Sequence, residues 1–120
     1  MSTSSTLVTV VTHLQVHDGK LDDFRAGCRT LIERTSSEKK CVFMQVAFDG
    51  RKCVSHEGYA DAAGVMEHLE NVRATMEENM AMADLNGVEL YGPADELDRL
   101  REPLGAFSPD FYSVDFRYER

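Results

Sequence analysis

The stretch "CVFMQVAFDGRKCVSHEGYADAAGVMEHL", residues 41–69, decides the fold. Residues 41–48 are nearly all apolar and read as a strand. Asp49-Gly50 follows as a hairpin signal, the pair supplying the positive-φ positions of a tight turn. Residues 52–59 then return antiparallel. Strand alternation puts Cys53, Ser55, Glu57 and Tyr59 on one face, and Val54 and His56 on the other. The adjacent His56 and Glu57 therefore point apart and cannot act together. Asp61 is a good N-cap, and Val65, Met66, Leu69, Val72 and Met76 mark the buried stripe of the helix it opens. That helix reverses over the sheet, so His68 and Glu57 either line one pocket between helix and sheet or stand apart, the histidine at the core edge on a backbone carbonyl and the glutamate in water.

Residues on either side extend the pattern. In "LVTVVTHLQV", residues 7–16, Val8, Val10, Leu14 and Val16 share one strand face with Thr12 between them. Leu7, Thr9, Val11, His13 and Gln15 share the other. From Lys20, Leu21, Phe24, Cys28, Leu31, Ile32 and Thr35 recur at helical intervals, opposite Asp22, Asp23, Arg25, Arg29 and Glu33. "SSEKK", residues 36–40, ends that helix. After the second helix, whose apolar character Met80 and Met82 prolong, "DLNG" reads as a terminator and "VELYGP" as a short fourth strand. "ADELDRLREPLGAF" reads as a third helix stopped near Pro103, and "DFYSVDFRYER" as a C-terminal strand. The acidic runs "ADELDR" and "MEEN" read as solvated helix faces.

The order β-α-β-β-α-β, plus a helix and a strand, predicts an α+β, ferredoxin-like split βαβ fold. Its antiparallel sheet carries both helices on one face. The other face is partly apolar and needs a cover. A second copy packed sheet to sheet is the simplest one, giving a homodimeric α+β barrel. The C-terminal strand is expected to cross to the partner subunit.

Composition narrows the classes. The 120 residues form one domain, 1–120, with residues 1–6 expected as a mobile tail. The net charge of −8 disfavours nucleic acid and anionic membrane surfaces as partners. No apolar run approaches the ~18 residues of a membrane span, and no secretory leader is evident. Three cysteines, Cys28, Cys41 and Cys53, lack CxxC spacing. They read as reduced, mostly buried thiols in a cytoplasmic protein, with no metal site.

Several local features together resemble the antibiotic biosynthesis monooxygenase (quinol monooxygenase-like) family of dimeric α+β barrels. They are the valine-rich first strand, Gly19-Lys20 with Phe24 at the first helix, and Cys41, Val42 and Met44 on the second strand. Glu57, Tyr59 and Asp61 at the third strand, and the His68-Leu69 pair, complete the set. The resemblance spans roughly residues 7–116. It implies a homodimer with a pocket between helices and sheet in each subunit. It also implies oxidation of a small electron-rich aromatic, quinol or polyketide-like, by O₂ with no metal, flavin or other cofactor. On this reading His68 and Glu57 are catalytic, and Tyr59, His13, Leu69, Val65 and Tyr91 line the substrate pocket. There are departures. The chain has no Trp, which haem-degrading relatives use, and "SSEKK" stands where Pro-Gly is common. The alternative is a non-catalytic barrel that binds a small metabolite or acts in stress response.

Overall fold

The structure, a computed structural model, describes residues 5–120. In chain order the elements are β1 (Val8–Val16), α1 (Leu21–Thr35), β2 (Cys41–Asp49), β3 (Lys52–Tyr59), α2 (Ala62–Met80), β4 (Ala83–Gly92), α3 (Ala94–Arg101) and β5 (Asp110–Ser113). The strands order as β2-β3-β1-β4-β5. The first four are antiparallel in the ferredoxin-like arrangement, and β5 adds in parallel to β4. The fold is therefore α+β with a five-stranded mixed sheet.

Alternation fixes the faces. Val8, Val10, Leu14 and Val16 of β1 are buried beneath the helices, beside Cys53 and Tyr59 of β3 and Leu90 of β4. One core cluster joins Val8, Val10, Tyr59, Val65 and Leu90 to Leu97, Leu100 and Leu104 of the α3 region. A second joins Leu14, Val16 and Cys53 to Phe24 and Cys28 of α1. The hairpin between β2 and β3 has positive φ at Gly50 alone. Asp49 is instead the last residue of β2, paired with Lys52. This is the one-glycine pattern of a type II′ turn.

The structure also departs from the sequence expectation elsewhere. The segment "DLNG" does not end α2. It lies inside β4, a ten-residue strand, and Asn86 is accommodated by a register shift opposite His13 and Leu14. Met66 is exposed, because the buried stripe of α2 runs instead through Val65, His68, Val72 and Asn79. The C-terminal strand is short and pairs in parallel with β4 of its own chain, Tyr91 beside Tyr112. Residues 114–120 continue without regular structure, with Phe116 and Tyr118 largely exposed. Of the expected N-terminal tail, residues 1–4 lie outside the described residues, while the Thr6 hydroxyl donates to the Ala60 carbonyl at 2.6 Å.

The start of α2 is held twice. The Asp61 carboxylate accepts from the Gly64 amide at 3.0 Å, and the Glu96 carboxylate accepts from the Ala62 amide at 2.9 Å. Glu96 is thus buried, not part of a solvated face as "ADELDR" suggested. Lys40 pairs with Asp61 at 2.9 Å. Hydrogen bonding from Lys40 holds the Asp61 carboxyl below its ordinary value of 3.8. A carboxyl lowered by folding stabilises the fold above its unfolded-state pKa, and that stabilisation is lost as pH falls through the folded-state value. Asp61→Asn keeps an equally good cap and removes only the charge. Its melting temperature should lie below that of the natural chain at neutral pH, with the gap closing by about pH 2. A gap independent of pH in thermal melts would show that the charge contributes nothing.

Candidate functional site

Below α2, β3 presents Ser55, Glu57 and Tyr59 on its inner face, as alternation requires. A carboxylate in such a place must find hydrogen-bond donors. Glu57 Oε1 accepts from the Tyr59 hydroxyl at 2.6 Å, and Glu57 Oε2 accepts from the Ser55 hydroxyl at 3.0 Å. Burial first, and then the Glu57 charge, push the Tyr59 phenol well above its ordinary value of 10. Tyr59 therefore keeps its proton and serves as a hydrogen-bond donor to Glu57, not as a base.

His68 lies at the centre of the buried face of α2, with its side chain only 6% exposed. Its Nδ1 sits 3.0–3.1 Å from both oxygens of Glu38, a residue of the loop between α1 and β2. Asn71, one turn further along α2, donates its amide to Glu38 at 2.8 Å. The far end of the ring faces Glu57, with Nε2 3.7 Å from Oε1. That is too long for a hydrogen bond, but close enough for an ion pair once the ring is protonated. With Nδ1–H donated to Glu38, Nε2 is the nitrogen left to exchange a proton. The Tyr59 and His68 rings pack at 5.3 Å.

The surroundings are apolar. A cavity of about 90 Å³ opens beside Glu57 and His68 and is walled by Val10, Val65, Leu69, Val88, Leu104 and Phe107. A second, of about 100 Å³, opens on their other side toward Phe24, Cys28, Leu31, Met44 and Val46. Burial raises the Cys28 and Cys53 thiols in its wall to about 11, so both stay protonated at neutral pH. Among the described residues, no three His, Cys, Asp or Glu side chains are placed to hold a metal ion. Glu38 and Glu57 instead address opposite nitrogens of one ring.

The residues singled out from sequence therefore divide. His68, Glu57, Tyr59, Val65 and Leu69 come together under α2. His13 and Tyr91 do not join them, because both fall on the opposite face of the sheet. There the Tyr91 hydroxyl donates to Glu89 at 2.9 Å, His13 Nε2 lies 3.5 Å from Glu89, and Tyr91 stacks on Tyr112. Glu38 is the residue that sequence reasoning missed. Its only sequence signal was the departure of "SSEKK" from the familiar Pro-Gly.

The fold is shared with several solved α+β structures, two of them described as candidate antibiotic biosynthesis monooxygenases. A protein from Nitrosomonas europaea, described as a candidate antibiotic biosynthesis monooxygenase, superposes with a TM-score of 0.65 at 15% identity, over 78% of this chain and 96% of that one. A second so described, from Chloroflexus aurantiacus, gives 0.60 at 15%, over 73% and 93%. MupZ from Pseudomonas fluorescens is similar over far more of the chain: TM-score 0.94, 29% identity, 100% of this chain and 94% of that one. That overlap includes α3 and β5. No sequence-family model matches the chain, and no curated protein matches it significantly.

Because Glu38 satisfies buried donors from both His68 and Asn71, Glu38→Ala should cost about 1–3 kcal/mol in urea unfolding. Glu33→Ala, on the exposed face of α1, should stay within about 0.5 kcal/mol. Equal costs for the two variants would mean that the Glu38 contacts are not a stabilising unit.

Proposed function

We propose that the chain is an enzyme that moves a proton at a small, mostly apolar substrate held between α2 and the sheet. The observation that supports this reading is the buried imidazole of His68. It is anchored at Nδ1 by Glu38, and Nε2 faces Glu57 and both cavities. Glu38 fixes the ring's tautomer, and Nε2 takes a proton from a substrate hydroxyl. The imidazolium so formed lies between two carboxylates. Tyr59 and Ser55 hold Glu57 in place through its two oxygens.

The reaction that fits the scaffold is oxygenation of an electron-rich phenol or quinol without metal or flavin. The deprotonated substrate is itself the reductant of O₂. For a phenol carrying a ring C–H, one oxygen atom becomes a new ring carbonyl. The other leaves as water with the two hydrogens that the substrate loses. The protein's part is to deprotonate, to orient and to exclude bulk water.

A second reading uses the same groups without O₂. Carboxylates flank the ring at both nitrogens, so a proton taken at one substrate atom can be returned at another. That is the requirement of a redox-neutral isomerisation, and an oxygenase does not need it. Substrate loss under anaerobic conditions, with no O₂ uptake in air, would select this reading.

His68→Ala, with an unchanged circular dichroism spectrum, should lower turnover of a hydroquinone by about 10²–10⁴-fold on an oxygen electrode. Activity in the natural chain should persist in EDTA. Undiminished turnover in the folded variant would remove His68 from the mechanism. Ligand-dependent thermal stabilisation with no turnover of any kind would favour a binding barrel instead.

We also propose that the open sheet face pairs with a second copy. Val42 is 62% exposed on β2, beside Phe43 at 38%, and further along the same hairpin Val54, opposite Ala47, is 36% exposed. The combined substitution Val42→Lys and Val54→Lys should convert a dimer into a monomer in sedimentation velocity. A natural chain that sediments as a monomer would sink this assignment.

A further inference from the structure

The two cavities are not independent. Both are lined by Thr12, Glu57, His68, Met76 and Met80, and they diverge from that shared polar junction. The sheet order explains the divergence. Thr12 is on β1, the central strand. One lobe runs over β4 toward Leu104 and Phe107, and the other runs over β3 and β2 toward Phe24 and Leu31. Apart from the junction, the first lobe has no polar side chain in its wall, and the second has only Ser55, Asn79 and the two protonated thiols. Ser55 is engaged with Glu57, and the Asn79 amide with the Phe24 carbonyl at 3.2 Å.

Size adds a second constraint. The lobes hold about 90 and about 100 Å³. A dry apolar cavity that takes up benzene is about 150 Å³. Each lobe alone is smaller than that, so a fused ring system would have to sit across the junction, whereas a slender alkyl arm can enter a single lobe. Met76 and Met80 stand at the junction, and their flexible side chains suit a passage between the lobes.

We infer that the substrate is a slender, extended molecule with one ionisable hydroxyl or enol group in mid-chain and an apolar arm in each lobe. The reacting atoms then lie at Glu57 and His68, and the arms fix which atom is presented to Nε2. This rests on the reading of His68 as the proton acceptor. It changes the substrate class from a compact aromatic to a chain with a central enol, whose enolate can either take a proton back at another atom or reduce O₂.

Binding calorimetry with four probes tests the shape separately from the chemistry. Dihexanoylmethane has an enolised centre and two pentyl arms, hexanoylacetone has one such arm, acetylacetone has none, and anthrone is a fused aromatic. Affinity should rise at least tenfold with each added arm, and anthrone should bind more weakly than dihexanoylmethane. Leu31→Phe and Phe107→Trp each narrow one lobe. Each should weaken dihexanoylmethane at least tenfold, and only one of them should weaken hexanoylacetone. Should the bulkier variants fail to fold, Leu31→Ala and Phe107→Ala give the converse measurement. Each should strengthen binding of the longer-armed diheptanoylmethane. Anthrone binding as tightly as dihexanoylmethane, or long-armed ligands responding to one lobe only, would overturn the inference. Arm-dependent binding that survives in His68→Gln, with no turnover in the natural chain, would leave the shape standing and remove the enzymatic reading.

Discussion

A carboxylate facing the core of a helix–sheet sandwich has to be partnered, and Glu57 sets that condition here. Strand alternation sends it inward, beside Cys53 and Tyr59, where water cannot solvate it fully. Its neighbours Ser55 and Tyr59 supply hydrogen bonds from the same strand. The helix above must then present something compatible with a negative charge, and His68 occupies that position. An imidazole between strand and helix needs its own acceptor on the other nitrogen, which Glu38 provides from a loop. Each polar group is tolerated because the next one answers it, and among the described residues no buried side-chain nitrogen or oxygen is left without a partner.

Much of this was readable in the sequence, for identifiable reasons. The period of two in "KCVSHEGY" separates His56 from Glu57 without further information. Asp61, three residues before the amide it caps, marks the helix that carries His68. The apolar period of that helix includes Met66, yet Met66 is exposed, because a methionine at a helical interval is as compatible with the edge of the buried face as with its centre. The true stripe includes His68 and Asn79, polar side chains that periodicity arguments leave outside.

Other parts were hidden for physical reasons. Glu38 lies in a loop, where no repeat predicts which way a side chain points. Glu96 sits on a short helix whose acidic residues read as solvent-facing, yet it caps a second helix distant in sequence. "DLNG" is rich in turn residues, and a bulge in β4 absorbs them. His13 and Tyr91 were placed by their chemistry, when strand parity alone assigned His13 to the outer face. The mixed sheet was hidden as well, since a parallel partner for β4 leaves no hairpin signal between the two strands.

The loop position of Glu38 separates two kinds of evolutionary change. The walls of both lobes belong to helices, strands and the turn after α3, elements that also make the core. Altering them to accept another ligand shifts packing and stability together. The group that orients the imidazole stands on a five-residue connection, 36–40, outside those elements. Substitution there removes the ring's acceptor, at a cost in stability, without altering a residue in the wall of either lobe. The anchor of the ring and the walls of the lobes are thus carried by separate segments of one small chain.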